Sequence, residues 1–344
     1  MQGRNPLNMR CRAGIVGAAG RLAAAAALAS ACLGATAATA NAADDYPSKP
    51  VRVVVAFSAG GTTDILARLV ADHMSKEFGQ SFVVENKPGA GGNIGTGYVV
   101  NAKPDGYTLI VDSVGPIAIN PTLHDLPYDP LTDLVAIAQV ADVPNVLVVA
   151  PEHLKVKDIH ELVKNIKANP GKYNFSSTGV GTSSHLSGYM MGKMQDLKIT
   201  HIPYKGAEAL NDLLAGRVQF MFATIPSVHS LIEAGRLKPL AVSSPHRSRS
   251  LPDVPTMDEA GFKGFRAGSW FGLFAPKGTP EAVVKKLHDS VNRIIQIPEV
   301  SKQMVQQGAD PVPGSSEQFK HFIQEEHDRW KAVLIESGAV KSQQ

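Results

Sequence analysis

Two glycine-rich turns carry the residue types and spacing suited to holding an anion. The first is Phe57-Ser58-Ala59-Gly60-Gly61-Thr62-Thr63-Asp64; the second is Ser176-Ser177-Thr178-Gly179-Val180-Gly181-Thr182. Glycine lets a ligand approach the backbone closely and allows positive φ. Threonine at a helix start caps the helix while presenting a hydroxyl. Each turn follows a strand-like run and precedes a helix-like run, so each aims free N–H groups and a positive helix end at the same point. The dipole contribution to holding an anion there is about 0.3–2 kcal/mol. Two such turns facing each other describe a receptor for an anion better than they describe an enzyme.

Other chemistry finds little support. No G-x-S-x-G is present, His160-Glu161 lacks the rest of a zinc motif, and there is no Walker A sequence. The Gly89–Gly95 loop fails the dinucleotide pattern in register, so no cofactor and no metal are expected. His185 beside Ser183 or Ser184 supports an alternative reading as a hydrolase, and a ligand-sensing subunit for a membrane signalling protein is another alternative. Asp64 would repel an anion at its helix start. It reads as a brace of the turn, pairing with Arg68 one helical turn on, or as the acceptor of a ligand's amino group. Asn93 is a candidate polar contact at the cleft edge, and Tyr204, in preference to Lys205, is a candidate at the carboxyl end of a strand. Neither turn contains an arginine, so a carboxylate there must be held by backbone N–H groups, hydroxyls and water.

The elements that position these turns alternate. Val51–Phe57 is an apolar, β-branched run, and 65–78 follows with apolar residues at helical spacing until Gly79. Strands are expected at 81–85, 107–111, 143–149, 173–176, 199–203, 218–222, 238–242 and 270–275, and helices at 157–168, 185–194, 207–215, near 228–234, 280–295 and 316–337. Such alternation predicts mostly parallel sheets with helical crossovers. The 143–149 and 270–275 runs, both ending in Ala-Pro, read as a going and a returning strand between two lobes.

Residues 1–42 read as a cleavable signal peptide. Arg4, Arg10, Arg12 and Arg21 precede or open an alanine-rich apolar stretch that ends in Ala40-Asn41-Ala42, with cleavage expected after Ala42. Cys32 makes a poor lipid-attachment site because Ala29 stands three residues before it. The whole chain has 34 basic and 31 acidic residues; without the four leader arginines the balance is 30 to 31, so nothing points to nucleic acid. Both cysteines, Cys11 and Cys32, fall in the leader, which leaves no disulfide and no thiolate chemistry. Export without disulfides points to a bacterial periplasm.

Taken in order, several motifs resemble the Bug-type solute receptors of tripartite tricarboxylate transporters. They are the first turn with Ala67-Arg68, Glu85-Asn86-Lys87-Pro88-Gly89-Ala90-Gly91-Gly92-Asn93-Ile94-Gly95, Pro104-Asp105-Gly106-Tyr107-Thr108-Leu109, Gly179-Val180-Gly181 with His185-Leu186, Pro203-Tyr204-Lys205-Gly206 and Leu251-Pro252-Asp253-Val254-Pro255-Thr256. The resemblance spans the mature chain. It implies a type II-like two-lobed periplasmic binding protein, a monomer and not an enzyme. Such a protein closes over a small organic carboxylate and delivers it to integral membrane transporter subunits. It also implies that the loops at 58–64 and 176–182 grip the carboxylate through backbone groups and ordered water. The lobes are expected at 43–147 plus 267–344 and at 148–266. The chain departs from many relatives around Gly216–Thr224, where Gln219, Ala223 and Thr224 replace acidic residues. Thr224, ending a strand at the cleft, joins the expected site. A less charged floor favours a plain or aromatic carboxylate, with Phe57 or Trp270 as apolar walls or as ordinary core aromatics.

Overall fold

The structure, a computed structural model, describes residues 45–336. The expected leader, its cysteines and the cleavage position after Ala42 lie outside the described residues. No helix among the described residues is long and apolar enough to cross a membrane.

The first part of the chain forms strand Val51–Val55 (β1), helix Thr62–Phe78 (α1), strand Phe82–Asn86 (β2), helix Asn93–Val100 (α2) and strand Thr108–Ser113 (β3). A π-helical turn at Gly115–Ile119 and two short helical turns lead to strand Leu134–Val143 (β4). Strand Asn145–Val149 (β5) follows, then helix Ile159–Ala168 (α3), strand Tyr173–Ser177 (β6), helix Ser183–Met194 (α4) and strand Ile199–Pro203 (β7). Helix Glu208–Leu214 (α5), strand Phe220–Thr224 (β8), helix Ile225–Glu233 (α6) and strand Lys238–Val242 (β9) complete the middle of the chain. After an irregular stretch come strand Ser269–Pro276 (β10), helices Glu281–Gln296 (α7) and Pro298–Gln306 (α8), the short strand Asp310–Pro311 (β11) and helix Ser316–Glu336 (α9).

The strands form two sheets, ordered β11-β4-β10-β3-β1-β2 and β7-β6-β8-β5-β9. β1 runs parallel to β2 and β3, and β6 runs parallel to β7 and β8, as strand–helix–strand units require. β10 is antiparallel to β3 and β4, and β5 is antiparallel to β8 and β9. Both sheets are therefore mixed rather than mostly parallel: β5 and β10, one beside each crossing between lobes, run against both of their neighbours. The expected strand at 143–149 is in fact the end of β4 plus the whole of β5. Pro144 separates them, because a residue without an N–H cannot continue the ladder. The returning strand β10 pairs with β4 in the first sheet, not with β5.

β5 and β10 are buried at every position, which places the core of each lobe around a strand next to the crossings. Val146, Val148, Met221, Ala223 and Val228 pack together in the second lobe. In the first, Trp270, Phe274 and Phe319 pack with ring centroids 5.4–6.5 Å apart.

At the crossing, Asn145 is fully buried and fully used. Its N–H donates to Ser243 Oγ (2.9 Å), while its Nδ2 donates to Ala267 O (2.7 Å) and to Ser187 Oγ (3.1 Å). One residue, through its backbone N–H and its side-chain amide, thus ties the outgoing segment to both ends of the returning one and to α4.

Gly272, in the middle of β10, leaves space for the Phe319 ring, and a Cβ there would overlap that ring and crowd Ala138 O. Gly272→Val should therefore destabilise the protein by about 1–3 kcal/mol through overpacking, read as a lower urea midpoint with an unchanged slope.

Candidate ligand-binding cleft

The first turn breaks from β1 with Gly60 at φ 83° and enters α1 at Gly61. Gly61 supplies no side-chain cap, and the N–H groups of Thr62, Thr63 and Asp64 have no partner among the described residues. The helix start is thus left open to a ligand. Asp64 is turned away from that opening. Its Oδ2 accepts from Gly60 N–H (3.0 Å) and Arg68 Nε (3.0 Å), and its Oδ1 accepts from Asn86 Nδ2 (3.0 Å) with Arg68 Nη2 2.9 Å away. Burial works to raise its pKa, but these donors and the Arg68 charge outweigh it and hold the carboxyl below the usual range. Asn86 Nδ2 also donates to Phe57 O (2.9 Å), fixing the turn from the β2 side.

The second turn is held by its own hydroxyls. Thr182 caps α4, accepting from His185 N–H (3.3 Å) and donating to Gly179 O (2.8 Å). Ser177 Oγ accepts from Gly179 N–H (3.2 Å) and lies 2.6 Å from His201 Nε2. Gly181 N–H donates to His185 Nδ1 (3.3 Å), and the His185 and His201 rings stack with centroids 4.1 Å apart. Burial pushes His185 down to about 4, and burial together with His185 pushes His201 down to about 3. Both rings are neutral supports beneath the turn. The pairing of His185 with Ser183 or Ser184 that the alternative hydrolase reading would need does not occur: Ser184 Oγ donates to Phe222 O, and Ser183 Oγ donates to Asn145 Oδ1 at 3.5 Å.

The two turns border one cavity with about 700 Å³ of non-atom space, its mouth included. From the first lobe its wall takes Phe57, Ser58, Gly60, Gly61, Thr62 and Thr63. From the second turn it takes Thr178 and Thr182, and Thr224 comes from the end of β8. Of the other expected residues, Ala59, Ser177, Gly179, Val180 and Gly181 shape the turns without lining the wall. Asn93 lies off the wall, its Oδ1 accepting from Asn120 Nδ2 (2.7 Å). Tyr204 also lies off it, because its hydroxyl is taken by Asp212. Trp270 is a core residue, packed edge-on to Phe319 and Phe322. Strand alternation turns the neighbouring Ser269 and Phe271 to the cavity instead. Sequence reasoning missed those two, together with Ser113 and Ser227 and the apolar Ala207, Leu210, Met221 and Val228; Ser183 and Ser184, named only for the hydrolase alternative, also line the wall.

The lobes meet around the cavity mouth. Thr62 Oγ1 and Thr224 Oγ1 are 2.8 Å apart, and Ser58 Oγ donates to Glu208 Oε1 (3.1 Å). Glycine permits the closest approaches. Gly179, at φ 143°, is so near the first lobe that an added Cβ would lie 3.0 Å from Gly91 Cα. One on Gly206 would lie 2.9 Å from Ser58 N.

Two α/β lobes joined by crossing strands, closing over a cleft edged by two helix starts, that of α1 uncapped, define a solute receptor of the periplasmic binding protein class. A family model described as "Tripartite tricarboxylate transporter family receptor" matches residues 66–339. BugT of Bordetella pertussis is 39% identical over 300 residues, 86% of this chain and 92% of BugT. Among solved structures, Rpa4515 of R. palustris, solved with adipate, is 36% identical with a TM-score of 0.83, covering 86% of this chain and 99% of that one. MatC from Rhodopseudomonas palustris, solved with bound malate, is 33% identical with a TM-score of 0.80, covering 84% of this chain and 100% of its own. The chain belongs to the tripartite tricarboxylate transporter receptor family, and it is a binding protein rather than an enzyme.

The histidine pair sets a pH signature. Below the ordinary histidine pKa of 6.5 the unfolded chain takes protons that the folded rings, at about 4 and about 3, refuse. Their contribution to stability is therefore complete above pH 6.5 and is lost as pH falls toward the folded values. Asp112, pushed up to about 7 by burial against hydrogen bonds from Thr96 and Ser113, acts oppositely. Asp142, pushed up to about 6 by burial with Glu326 and Asp310 nearby, acts in the same sense as Asp112. Their effect appears as pH rises above 3.8. His185→Asn keeps an acceptor for Gly181 N–H, so the stability of the wild type relative to this variant should shrink by about 1–2 kcal/mol between pH 7 and pH 5. Asp112→Asn should gain stability relative to the wild type as pH rises from 5 to 8. Urea titrations at each pH measure both differences.

Proposed function

We propose that this protein is exported through a leader cleaved after Ala42, works in the periplasm as a monomer, and captures a small organic carboxylate between its lobes. It then hands the ligand to the integral membrane subunits of a tripartite tricarboxylate-type transporter. The observation that carries this reading is the uncapped start of α1, with three free N–H groups beside the cavity and opposite the start of α4. The relatives solved with adipate and malate support a carboxylate as the ligand class. In this reading the lobes comprise 43–147 plus 267–344 and 148–266; the chain changes sheets at Pro144, so that residues 145–147 already belong to the second sheet, and it changes back between β9 and β10. The turn residues 57–63 and 177–182, with Thr224, hold the ligand directly or shape the backbone that does. Asn93 and Tyr204 act only at the rim, and Asp64 with Arg68 braces the first turn from behind.

Thr62→Pro tests the reading at a single donor. Proline is well tolerated at the first helical position, and Gly61, at φ −80° and ψ 166°, suits the residue before it. The variant should fold with wild-type stability and bind carboxylates roughly tenfold or more weakly, the loss of a hydrogen bond to a charged group. Thr62→Val, which keeps the N–H and loses only the hydroxyl, should fall between the two. Titration calorimetry showing equal affinity for wild type and Thr62→Pro would remove α1 from the grip.

A further inference from the structure

Resting on the receptor reading above, we propose that Asn120 is a positioning residue for ligand capture. It assembles a first-lobe seat for the second turn, and it is the stop against which Gly181 comes to rest as the lobes close. The seat has two parts. Gly91, at φ 64°, lies so close to the turn that an added Cβ would be 2.2 Å from Val180 O. Gly115, in the π-helical turn, is near it as well, and a Cβ there would be 3.0 Å from Gly181 O. Asn120, at the start of the short helical turn that follows, joins the two parts. Its Nδ2 donates to Gly91 O (3.2 Å) and to Asn93 Oδ1 (2.7 Å), while the Tyr128 hydroxyl donates to Asn93 O (3.0 Å).

The other half of the amide faces the second lobe. Gly91 O can only accept, which fixes Nδ2 toward it and Oδ1 away from it. Asn120 is fully buried, and its Oδ1 has no hydrogen-bond partner among the described residues. A buried orphan acceptor calls for a reason. Gly181 supplies it: a Cβ there would lie 1.7 Å from Oδ1 and 2.9 Å from Cγ of Asn120. The α-carbon of Gly181 thus abuts the carbonyl oxygen, a contact that offers no more than a weak C–H···O interaction. Such a contact limits approach without adding appreciable attraction. The hold on the closed form must then come from the ligand and from the hydroxyl contacts at the mouth, Thr62 with Thr224 and Ser58 with Glu208. Neither Asn120 nor Gly181 borders the cavity, so the pair acts on the ligand only through the position of the second turn. Thr182, the next residue, lines the wall, so a displacement at Gly181 is carried straight to the cavity.

The test is a double-mutant cycle on the mature protein, freed of any retained ligand by unfolding and refolding. Titration calorimetry with adipate, malate, hexanoate and benzoate reads the affinities. Gly181→Ala should weaken binding roughly tenfold or more, because the added Cβ meets Asn120 before the turn is seated. Asn120→Ala alone should also weaken binding, because the seat loses its bonds to Gly91 and Asn93. Combined, however, Asn120→Ala removes the obstacle and should restore most of what Gly181→Ala lost. Both Gly181 variants carry the strain of a left-handed alanine (φ 76°), so the double variant should bind more tightly than Gly181→Ala without being more stable in urea. Gly91→Ala is the control: its Cβ meets a backbone oxygen, Val180 O, so Asn120→Ala should not rescue it. If Asn120→Ala changes affinity by the same factor in the wild type and in Gly181→Ala, the stop is overturned and the receptor stands. Asn120→Gln probes the stop without touching the glycine. One more methylene should hold the turn off its seat and weaken binding roughly tenfold or more. Wild-type affinity in that variant would overturn the proposal even if no Gly181 variant folds. Silence of the wild type toward all four acids overturns the receptor reading and this proposal together.

Discussion

The fold turns on a buried amide at the place where the chain changes sheets. Asn145 uses its backbone N–H and its side-chain NH₂ to hold Ser243, Ala267 and Ser187, so the outgoing strand, the returning segment and α4 meet at one residue. A buried polar group with every donor satisfied fixes one geometry, because any other leaves it unpaired in a dry interior. The start of α4 is one edge of the ligand cavity. The crossing and the second jaw are therefore placed by the same hydrogen bonds, and the relation between the lobes is transmitted to the cleft without a long chain of contacts.

Around this point the molecule keeps formal charge out of the cleft and neutral donors in it. Asp64 is buried at the base of the first turn but is surrounded by donors, so its charge stiffens the loop rather than opposing an incoming anion. His185 and His201 sit under the second turn as stacked neutral rings, one of them accepting a backbone N–H of the turn. The anion-binding character proposed for the site then rests on helix starts and hydroxyls. Their partial charges are fixed by the fold and do not titrate near neutral pH.

Much of this was legible in the sequence, for physical reasons that also mark where legibility ended. β1, α1 and the turn between them are local: a β-branched run, a glycine pair and a helical stripe fix each other within thirty residues of chain, or about one strand–helix–strand unit. The same holds for β6, the second turn and α4. Strand direction is not local. The reversal of β5 and β10 depends on partners more than a hundred positions away in some pairings, and periodicity carries no sign of it. β4 escaped notice because Gln139 and Asp142 interrupt its apolar pattern, and because its end runs through Pro144 into β5. At the site, Ser113, Ser269, Leu210 and Met221 carry no motif; they converge only because strand ends and helix faces from both lobes do. Tyr204 was expected at the cleft from its place after β7, but Asp212 on α5 claims its hydroxyl. The sequence leaves Trp270 open between wall and core; it is core, and its neighbours Ser269 and Phe271 face the cavity, because in a strand one residue is the difference between the two.

Recognition by main-chain groups, as we propose for the start of α1, has an evolutionary consequence. A backbone N–H survives almost every substitution at its own position, so the grip on the carboxylate at the start of α1 can persist while side chains change around it. The wall formed by α5, β8 and α6 belongs to a different lobe and consists of side chains, each open to replacement one at a time. Descendants of such a chain can alter what they carry by drift in one lobe while the anchor in the other stays in place. One scaffold can thereby diversify into many nutrient specificities without passing through a form that binds nothing.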